Sequence, residues 1–287
     1  MEPSDLLLSH AIDNFLIYMK YRKSAATTTL STYKYVLREF LSITGNLHVA
    51  ELTKKHVDDY ALNMGIRGYK PKTFRNKMVV VKCLVSYLYR EEVTLIKPEQ
   101  IELPKEGHTE ANFLDEREVT LLLKVVTNVR DRALILTLLR SGVRVSEVTN
   151  LRITDIYKRS VAVRNGKGGK PRVTFITPDA EKAINDYLSL TKRKTGYLFA
   201  NPAGDRLSRV IVARKVSTYA QKAKLDKKVT THTLRHTFAT TMLKRGARVE
   251  DVQQILGHAN IKTTLIYLHF TAYDLQRSYN KVMVRKQ

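Results

Sequence analysis

Residues 97–112 read K-P-E-Q-I-E-L-P-K-E-G-H-T-E-A-N, a polar stretch holding two prolines and a glycine. Proline fixes φ and removes a backbone donor, so neither a helix nor a central strand runs through such a segment intact. The 287-residue chain is therefore expected to fold as two bodies, an N-terminal domain over 1–96 and a C-terminal domain over 113–287, with 97–112 as the linker.

The N-terminal part carries helical periodicity and no strand pattern. Leu8, Ala11, Ile12, Phe15, Leu16 and Met19 recur at helical spacing, as do Leu30, Tyr33, Val36, Leu37, Phe40 and Leu41. A third helix is expected after Thr53, through Val57, Tyr60, Ala61 and Met64. A fourth follows Pro71, with Met78, Val81, Leu84, Val85 and Leu88 on one face. Lys70, Lys72, Arg75, Lys77 and Lys82 lie at the start and along the polar side of that helix. By themselves they read as a solvated face. Composition shifts the reading, because Lys and Arg total 50 against 27 acidic residues, a formal net charge of +23. That excess is the electrostatic footprint of a nucleic-acid binder, and it makes a phosphate-contacting face the better reading. Ribosome or membrane association is the alternative use of such charge. The basic residues are spread through amphipathic patterns and not gathered in a tail, which favours a folded DNA-binding surface. The lone Cys83 lies in an apolar helical run and reads as core. The opening M-E-P-S-D-L-L-L-S-H lacks a positive start and has a short apolar run, so it is not read as a signal peptide. No stretch approaches the ~18 apolar residues that span a membrane, and a soluble, cytoplasmic protein is expected.

The C-terminal part mixes helix with one strand pair. Asp115 and Glu118 have capping-box spacing ahead of Val119, Leu122, Leu123 and Val126. A helix from Asp131 to Arg140 is stopped by Gly142, and Ser146 is a candidate N-cap for the short helix after it. Arg144 falls between the two helices beside the acid Glu147, which suits either a fixed anion clamp or a surface salt bridge. Residues 160–177, S-V-A-V-R-N-G-K-G-G-K-P-R-V-T-F-I-T, read as a β-hairpin with Lys167 at its tip. Its glycines lack the spacing of an ATP-binding phosphate loop. A lysine there could reach the minor groove or a scissile phosphate, and Lys170 shares the tip. A helix over 178–191, a short strand near Leu198–Ala200 and a helix over 207–225 are expected next. The last carries Arg209, Arg214, Lys215, Lys222 and Lys224 and is a candidate for major-groove contact.

The stretch T-H-T-L-R-H places His232 and Arg235 three residues apart, on one helical face, where both can point at one anion. His232 and His236 could alternatively form an i, i+4 metal pair. A zinc protease would need Glu where Thr233 stands, and no third ligand pattern supports zinc. His258 follows Gly257 at an expected helix end, and Tyr267 lies in the next helical segment. A free tyrosine, with a pKa of about 10, is a poor nucleophile at neutral pH. It becomes useful where its proton can leave and cationic groups stabilise charge on an attacked phosphate. Arginine suits that task because its planar fork bonds two oxygens and stays charged.

The ordered set Arg144, Lys167, His232, Arg235, His258 and Tyr267 resembles the signature of the tyrosine recombinase (phage integrase) family. The local text is similar too, in S-G-V-R-V-S-E-V, H-T-L-R-H-T-F-A-T and L-G-H-A-N-I-K-T-T-L-I-Y. The compact size resembles the Xer branch. The N-terminal part matches the family's core-binding domain only in length and helical character. The resemblance implies a mainly α fold: an all-helical DNA-binding domain, then a mostly helical catalytic domain with a small antiparallel sheet. It implies that Tyr267 attacks the scissile phosphate to give a 3′-phosphotyrosine and a free 5′-hydroxyl. Arg144 and Arg235 would clamp the non-bridging oxygens with His258. His232 would accept the tyrosine proton or assist the clamp. Lys167 would donate a proton to the leaving 5′-oxygen, and Glu147 would support Arg144. No metal, ATP or other cofactor is implied. The partners implied are a double-stranded DNA recombination site and a homotetramer on two such sites, passing through a Holliday junction, with a monomer or dimer when free. The C-terminal segment, rich in Tyr, Arg and Lys, would either dock on a neighbouring subunit or pack on its own domain. His269 and Tyr273 lie near Tyr267, but only Tyr267 has the family's distance from His258. The function implied is site-specific recombination that resolves chromosome or plasmid multimers. A mobile-element integrase, a relaxing activity of the same chemistry, and a non-catalytic DNA-binding protein or regulator are the alternatives.

Overall fold

The computed structural model describes residues 6–104, 112–164 and 171–257. It is mainly helical with one small antiparallel sheet, and it divides into two compact units, Met1–Thr109 and Glu110–Gln287. Among the described residues no helix is long and apolar enough to cross a membrane.

The first unit is built on four helices, α1 (Leu8–Tyr21), α2 (Thr27–Thr44), α3 (Lys54–Ile66) and α4 (Pro71–Arg90). Their starts follow local chemistry. Thr53 caps α3, and Pro71 takes the first position of α4, where the missing N–H would have had no helical partner. The expected apolar faces meet in one core that includes Phe15, Leu37, Phe40, Tyr60 and Leu84, all at most 1% exposed. Phe40 and Tyr60 meet edge to face at 5.3 Å, an arrangement that suits their ring quadrupoles.

The basic side of α4 departs from the expected phosphate-contacting face. Lys77 points inward and is 5% exposed. Its Nζ donates to Glu39 Oε2 at 2.5 Å and lies 4.1 Å from the centre of the Tyr69 ring. Glu39 also accepts from the hydroxyls of Tyr60 and Tyr69, each at 2.9 Å. Burial pushes the Glu39 pKa up, but Lys77 and the two tyrosines outweigh it and hold the carboxyl below its ordinary value. Lys82 donates to the Ile101 carbonyl and Arg75 to that of Pro104. Only Lys70 and Lys72 of the five are exposed. A buried charge needs a partner, and Glu39 on α2 supplies it.

The second unit is organised around α6 (Val129–Ser141). Every residue from Ala133 to Leu139 is buried, and a helix whose middle turns are covered on every side belongs inside a domain. It packs against α8 (Pro178–Thr191) and α10 (Thr231–Lys244). It starts two residues before the expected Asp131, because the Asn128 side chain accepts from the Asp131 N–H at 3.1 Å. Ahead of it, α5 (Glu116–Val125) opens with the expected capping box of Asp115 and Glu118, both bonds 2.8 Å. After it comes α7 (Val145–Val148). The strands β1 (Ile156–Tyr157), β2 (Ser160–Val163) and β3 (Arg172–Phe175) form an antiparallel sheet in that order. Val161 faces Thr174, and Val163 faces Arg172. The strand expected at Leu198–Ala200 is replaced by isolated bridges, Arg152 with Tyr197 and Ala200 with Arg206. The helix expected over 207–225 is α9 (Arg209–Lys222), capped by Ser208. Last among the described elements is α11 (Val249–Leu256), joined to α10 by an apolar cluster of Phe238, Ala239, Leu243, Val252 and Leu256.

Candidate active site

Four elements of the second unit meet at the C-terminal end of α11. A helix leaves its last carbonyls without intrahelical partners, and its dipole makes that end partly negative. Three guanidinium groups from three different places fill that need. Arg172 Nε, at the start of β3, donates to the Ile255 carbonyl at 2.8 Å. Arg235 Nη2, on α10, donates to the Leu256 carbonyl at 2.7 Å. Arg144 Nη2, just before α7, donates to the Gly257 carbonyl at 3.1 Å. Consecutive carbonyls thus set the spacing of the arginines.

Glu147 and two glycines complete the frame. Arg144, not Ser146, is the N-cap residue of α7. Its backbone N–H donates to Glu147 Oε2 at 2.7 Å, and its Nη1 donates to Glu147 Oε1 at 2.9 Å. Arg172 reaches the same carboxylate with two parallel bonds, Nη1 to Oε1 at 2.7 Å and Nη2 to Oε2 at 2.8 Å. Burial alone would raise the Glu147 pKa, but Arg172 and then Arg144 hold it at about 2. Arg235 Nη1 donates to the Gly142 carbonyl at 2.5 Å. Gly142 ends α6 with φ +63°, and a Cβ there would lie 2.4 Å from Phe238 Cδ1. Gly257 ends α11 with φ +65°, and a Cβ there would lie 2.9 Å from Arg172 Cδ. Glycine is needed at both places, for the left-handed turn and for the close approach.

His232 sits one turn before Arg235 on α10 and is exposed. Partial desolvation, then the charges of Arg235 and Arg144, lower its pKa below the ordinary 6.5. A neutral imidazole at pH 7 can accept a proton. His236 is further in, and burial, then His232 and Arg235, lower its pKa to about 4. Among the described residues no group of three His, Cys, Asp or Glu could hold a metal ion. Of the six residues singled out in the sequence, Arg144, His232 and Arg235 are therefore brought together here. Lys167, His258 and Tyr267 lie outside the described residues, as does the hairpin tip.

Residues 112–273 match the Phage integrase family, and residues 12–95 match the N-terminal SAM-like domain of phage integrases. The chain belongs to the phage integrase family of tyrosine recombinases. It is 33% identical to the tyrosine recombinase XerC of Pelobacter propionicus, over 96% of this chain and 95% of that one. It is 29% identical to a XerA recombinase of known crystal structure, over 98% of this chain and 99% of that one, with a TM-score of 0.56. At 21% identity it shares its fold with the XerH site-specific recombinase, solved on a palindromic difH substrate as a post-cleavage complex (TM-score 0.74, 94% of this chain and 84% of that one).

Within this integrase fold, two features went unread in the sequence. Arg172 was read only as one residue of the hairpin, yet its side chain is 10% exposed and bonded on every nitrogen. Its position directly after Pro171, in a strand whose residues alternate inward and outward, was the available signal. On α9, Lys215 does not face outward with the other basic residues. It donates to Asp131 Oδ2 at 2.6 Å, beside the Tyr219 hydroxyl at 2.9 Å. Val212, Val216 and Ala220 form the face of α9 turned to the core, and Arg209, Arg214 and Lys222 are exposed.

Proposed function

We propose that this chain is a site-specific DNA recombinase of the Xer type, acting in the cytoplasm to resolve multimers of circular DNA. Tyr267 is the nucleophile. Its oxygen attacks the scissile phosphorus while the bond to the 5′-oxygen breaks, leaving a 3′-phosphotyrosine. His232 accepts the tyrosine proton, and Lys167 gives one to the departing 5′-oxygen. Arg144, Arg235 and His258 stabilise the charge that grows on the non-bridging oxygens. A 5′-hydroxyl from a partner duplex then attacks the phosphotyrosine and restores the backbone. The link keeps its bond energy, so the cycle requires neither ATP nor metal. A tetramer on two duplexes supplies the partner strand. The N-terminal domain, read over 1–96, and the C-terminal domain, over 113–287, would each contact the duplex.

One observation carries the reading. Arg144 and Arg235 end on the adjacent carbonyls of Gly257 and Leu256, immediately before His258 in the chain. Two guanidinium groups anchored on adjacent carbonyls favour an anion that can reach both, and a phosphodiester is such an anion. A guanidinium has five N–H donors. The bonds from the Arg144 side chain to Glu147 and Gly257 leave others for phosphate oxygens. The relatives named as Xer recombinases, and the XerH complex trapped after cleavage, support the same chemistry.

The test is covalent capture. Wild-type protein and Tyr267→Phe are incubated with nicked duplexes of randomised sequence, in EDTA and without ATP, and resolved in denaturing gels. A protein–DNA adduct that forms with wild type and vanishes in Tyr267→Phe, with DNA binding retained, is the expected result. An adduct that persists in the variant would assign the nucleophile elsewhere.

A further inference from the structure

We propose that Arg172 is a positioning residue of this site: it locks Glu147 and the end of α11 together, and so holds Arg144 ready for the phosphate. The proposal rests on the recombinase reading for what Arg144 does, but not for the contacts themselves. Arg172 uses Nε on the Ile255 carbonyl and both Nη atoms on Glu147. Its side chain is 10% exposed, half the exposure of Arg144 at 20%. A third phosphate clamp would leave donors turned to solvent. Arg172 instead spends its fork on a carboxylate that is 2% exposed.

The arrangement explains why an arginine is needed. Glu147 must serve Arg144 twice, through the backbone N–H and through Nη1. A carboxylate facing one arginine alone could turn and give its oxygens to different donors. Two parallel bonds from Arg172 fix the plane of that carboxylate, and its Oε1 is then placed for Arg144 Nη1. The third bond, to Ile255, ties the same guanidinium to α11, whose next carbonyls hold Arg235 and Arg144. Gly257 permits this, since the Arg172 stem passes where a Cβ would stand. Lysine has one nitrogen and no planar fork, so it cannot hold both carboxylate oxygens and the carbonyl together in this geometry. The groups facing Glu147 are thus Arg144 from its own turn and Arg172 from β3, with the α11 terminus behind both arginines.

The test compares wild type, Arg172→Gln and Arg172→Lys as full-length proteins on a nicked duplex that wild type captures from the randomised pool. Adduct formation is followed against DNA concentration, and folding is checked by circular dichroism. In parallel, the side-chain nitrogen resonance of Arg144 is recorded by NMR without DNA. Arg172→Gln should slow the maximal rate on the order of 10- to 100-fold, the usual effect of losing an orienting partner. The half-saturating DNA concentration should stay put. Arg172→Lys should recover part of the rate, and the Arg144 guanidinium should rotate more freely in the Gln variant. An unchanged maximal rate in folded Arg172→Gln overturns the proposal. So does a loss confined to DNA affinity, which would make Arg172 a DNA contact. Equal loss in both variants, with the Arg144 resonance unchanged, would reduce Arg172 to a structural ion pair. If wild type captures no duplex, the recombinase reading falls, and the Arg144 resonance alone still decides whether Arg172 positions it.

Discussion

Replacing Glu147 with glutamine should cost stability in a way that depends on pH, and the size follows from its surroundings. The carboxyl has its pKa lowered from 4.5 to about 2. That difference is a factor of about 300 in proton affinity, or about 3 kcal/mol at neutral pH. The side chain is only 2% exposed, so solvent screening takes little from the figure. The sign follows from which state binds the proton. Between about pH 4.5 and 2 the unfolded chain holds a proton on Glu147 that the folded chain refuses. Stability from this group is therefore complete above 4.5 and is lost as pH falls toward 2.

Calorimetry on the full-length protein measures this. Glu147→Gln removes the charge and keeps the shape, so the transition of the C-terminal unit should move down by about 6–12 °C at pH 7, taking 2–4 °C per kcal/mol for a domain of this size. The transition of the N-terminal unit should not move. The gap between wild type and variant should then close as pH falls below 4.5. His236 contributes its own loss, since its pKa is lowered from 6.5 to about 4 and the unfolded chain takes up its proton first on acidification. That loss is common to both proteins and cancels in the difference. A variant as stable as wild type at pH 7, or a gap of the same size at pH 7 and pH 3, would refute the account of a carboxylate held charged by Arg172 and Arg144.

Further changes probe the frame separately. His236→Asn should flatten the stability curve between pH 6.5 and 4, measured by urea unfolding across that range. Gly142→Ala forces a Cβ to 2.4 Å from Phe238 and 2.7 Å from Leu256 at a φ of +63°. It should destabilise the C-terminal unit by about 1–3 kcal/mol and slow adduct formation, because the Gly142 carbonyl holds Arg235. In the first unit, Glu39→Ala leaves Lys77 buried without its carboxylate and should cost about 3–5 kcal/mol. Joint replacement of Glu39 and Lys77 by Leu and Met should cost clearly less, and calorimetry of the N-terminal transition compares the two.

Features that depend on neighbours in sequence were legible. The Asp115–Glu118 box, the start of α3 after Thr53 and the stop at Gly142 need only a few adjacent residues. The start of α7 was misplaced for an instructive reason. Ser146 has the usual capping chemistry, but Glu147 reaches back to the Arg144 N–H from three residues on, which is the acidic half of a capping box. The inward turn of Lys77 was hidden because its partners, Glu39 and Tyr69, come from elsewhere in the unit. A charge pattern on one helix says where a lysine stands, not what faces it. Arg172 was hidden in the same way, with partners 25 and 83 residues away. The motif residues themselves could be read as a set, yet nothing in their spacing indicated that three arginines share one helix end.

That shared end explains how the site stays cationic without coming apart. Three guanidinium groups bring three positive charges to the terminus of α11. Glu147 returns one, and a helix terminus offers at most about half a charge more. Arg172 lies against Glu147 with two bonds, so its charge is the one most nearly cancelled. Among the described residues, the three guanidinium groups, this carboxylate and this terminus therefore sum to more than one positive unit. Arg144 bonds the Glu147 carboxylate and the Gly257 carbonyl, and Arg235 bonds the carbonyls of Gly142 and Leu256. A single phosphodiester carries about the charge that remains. Such an excess suits an anion, and under the proposed reading a phosphate entering beside Arg144, Arg235 and His232 would offset it.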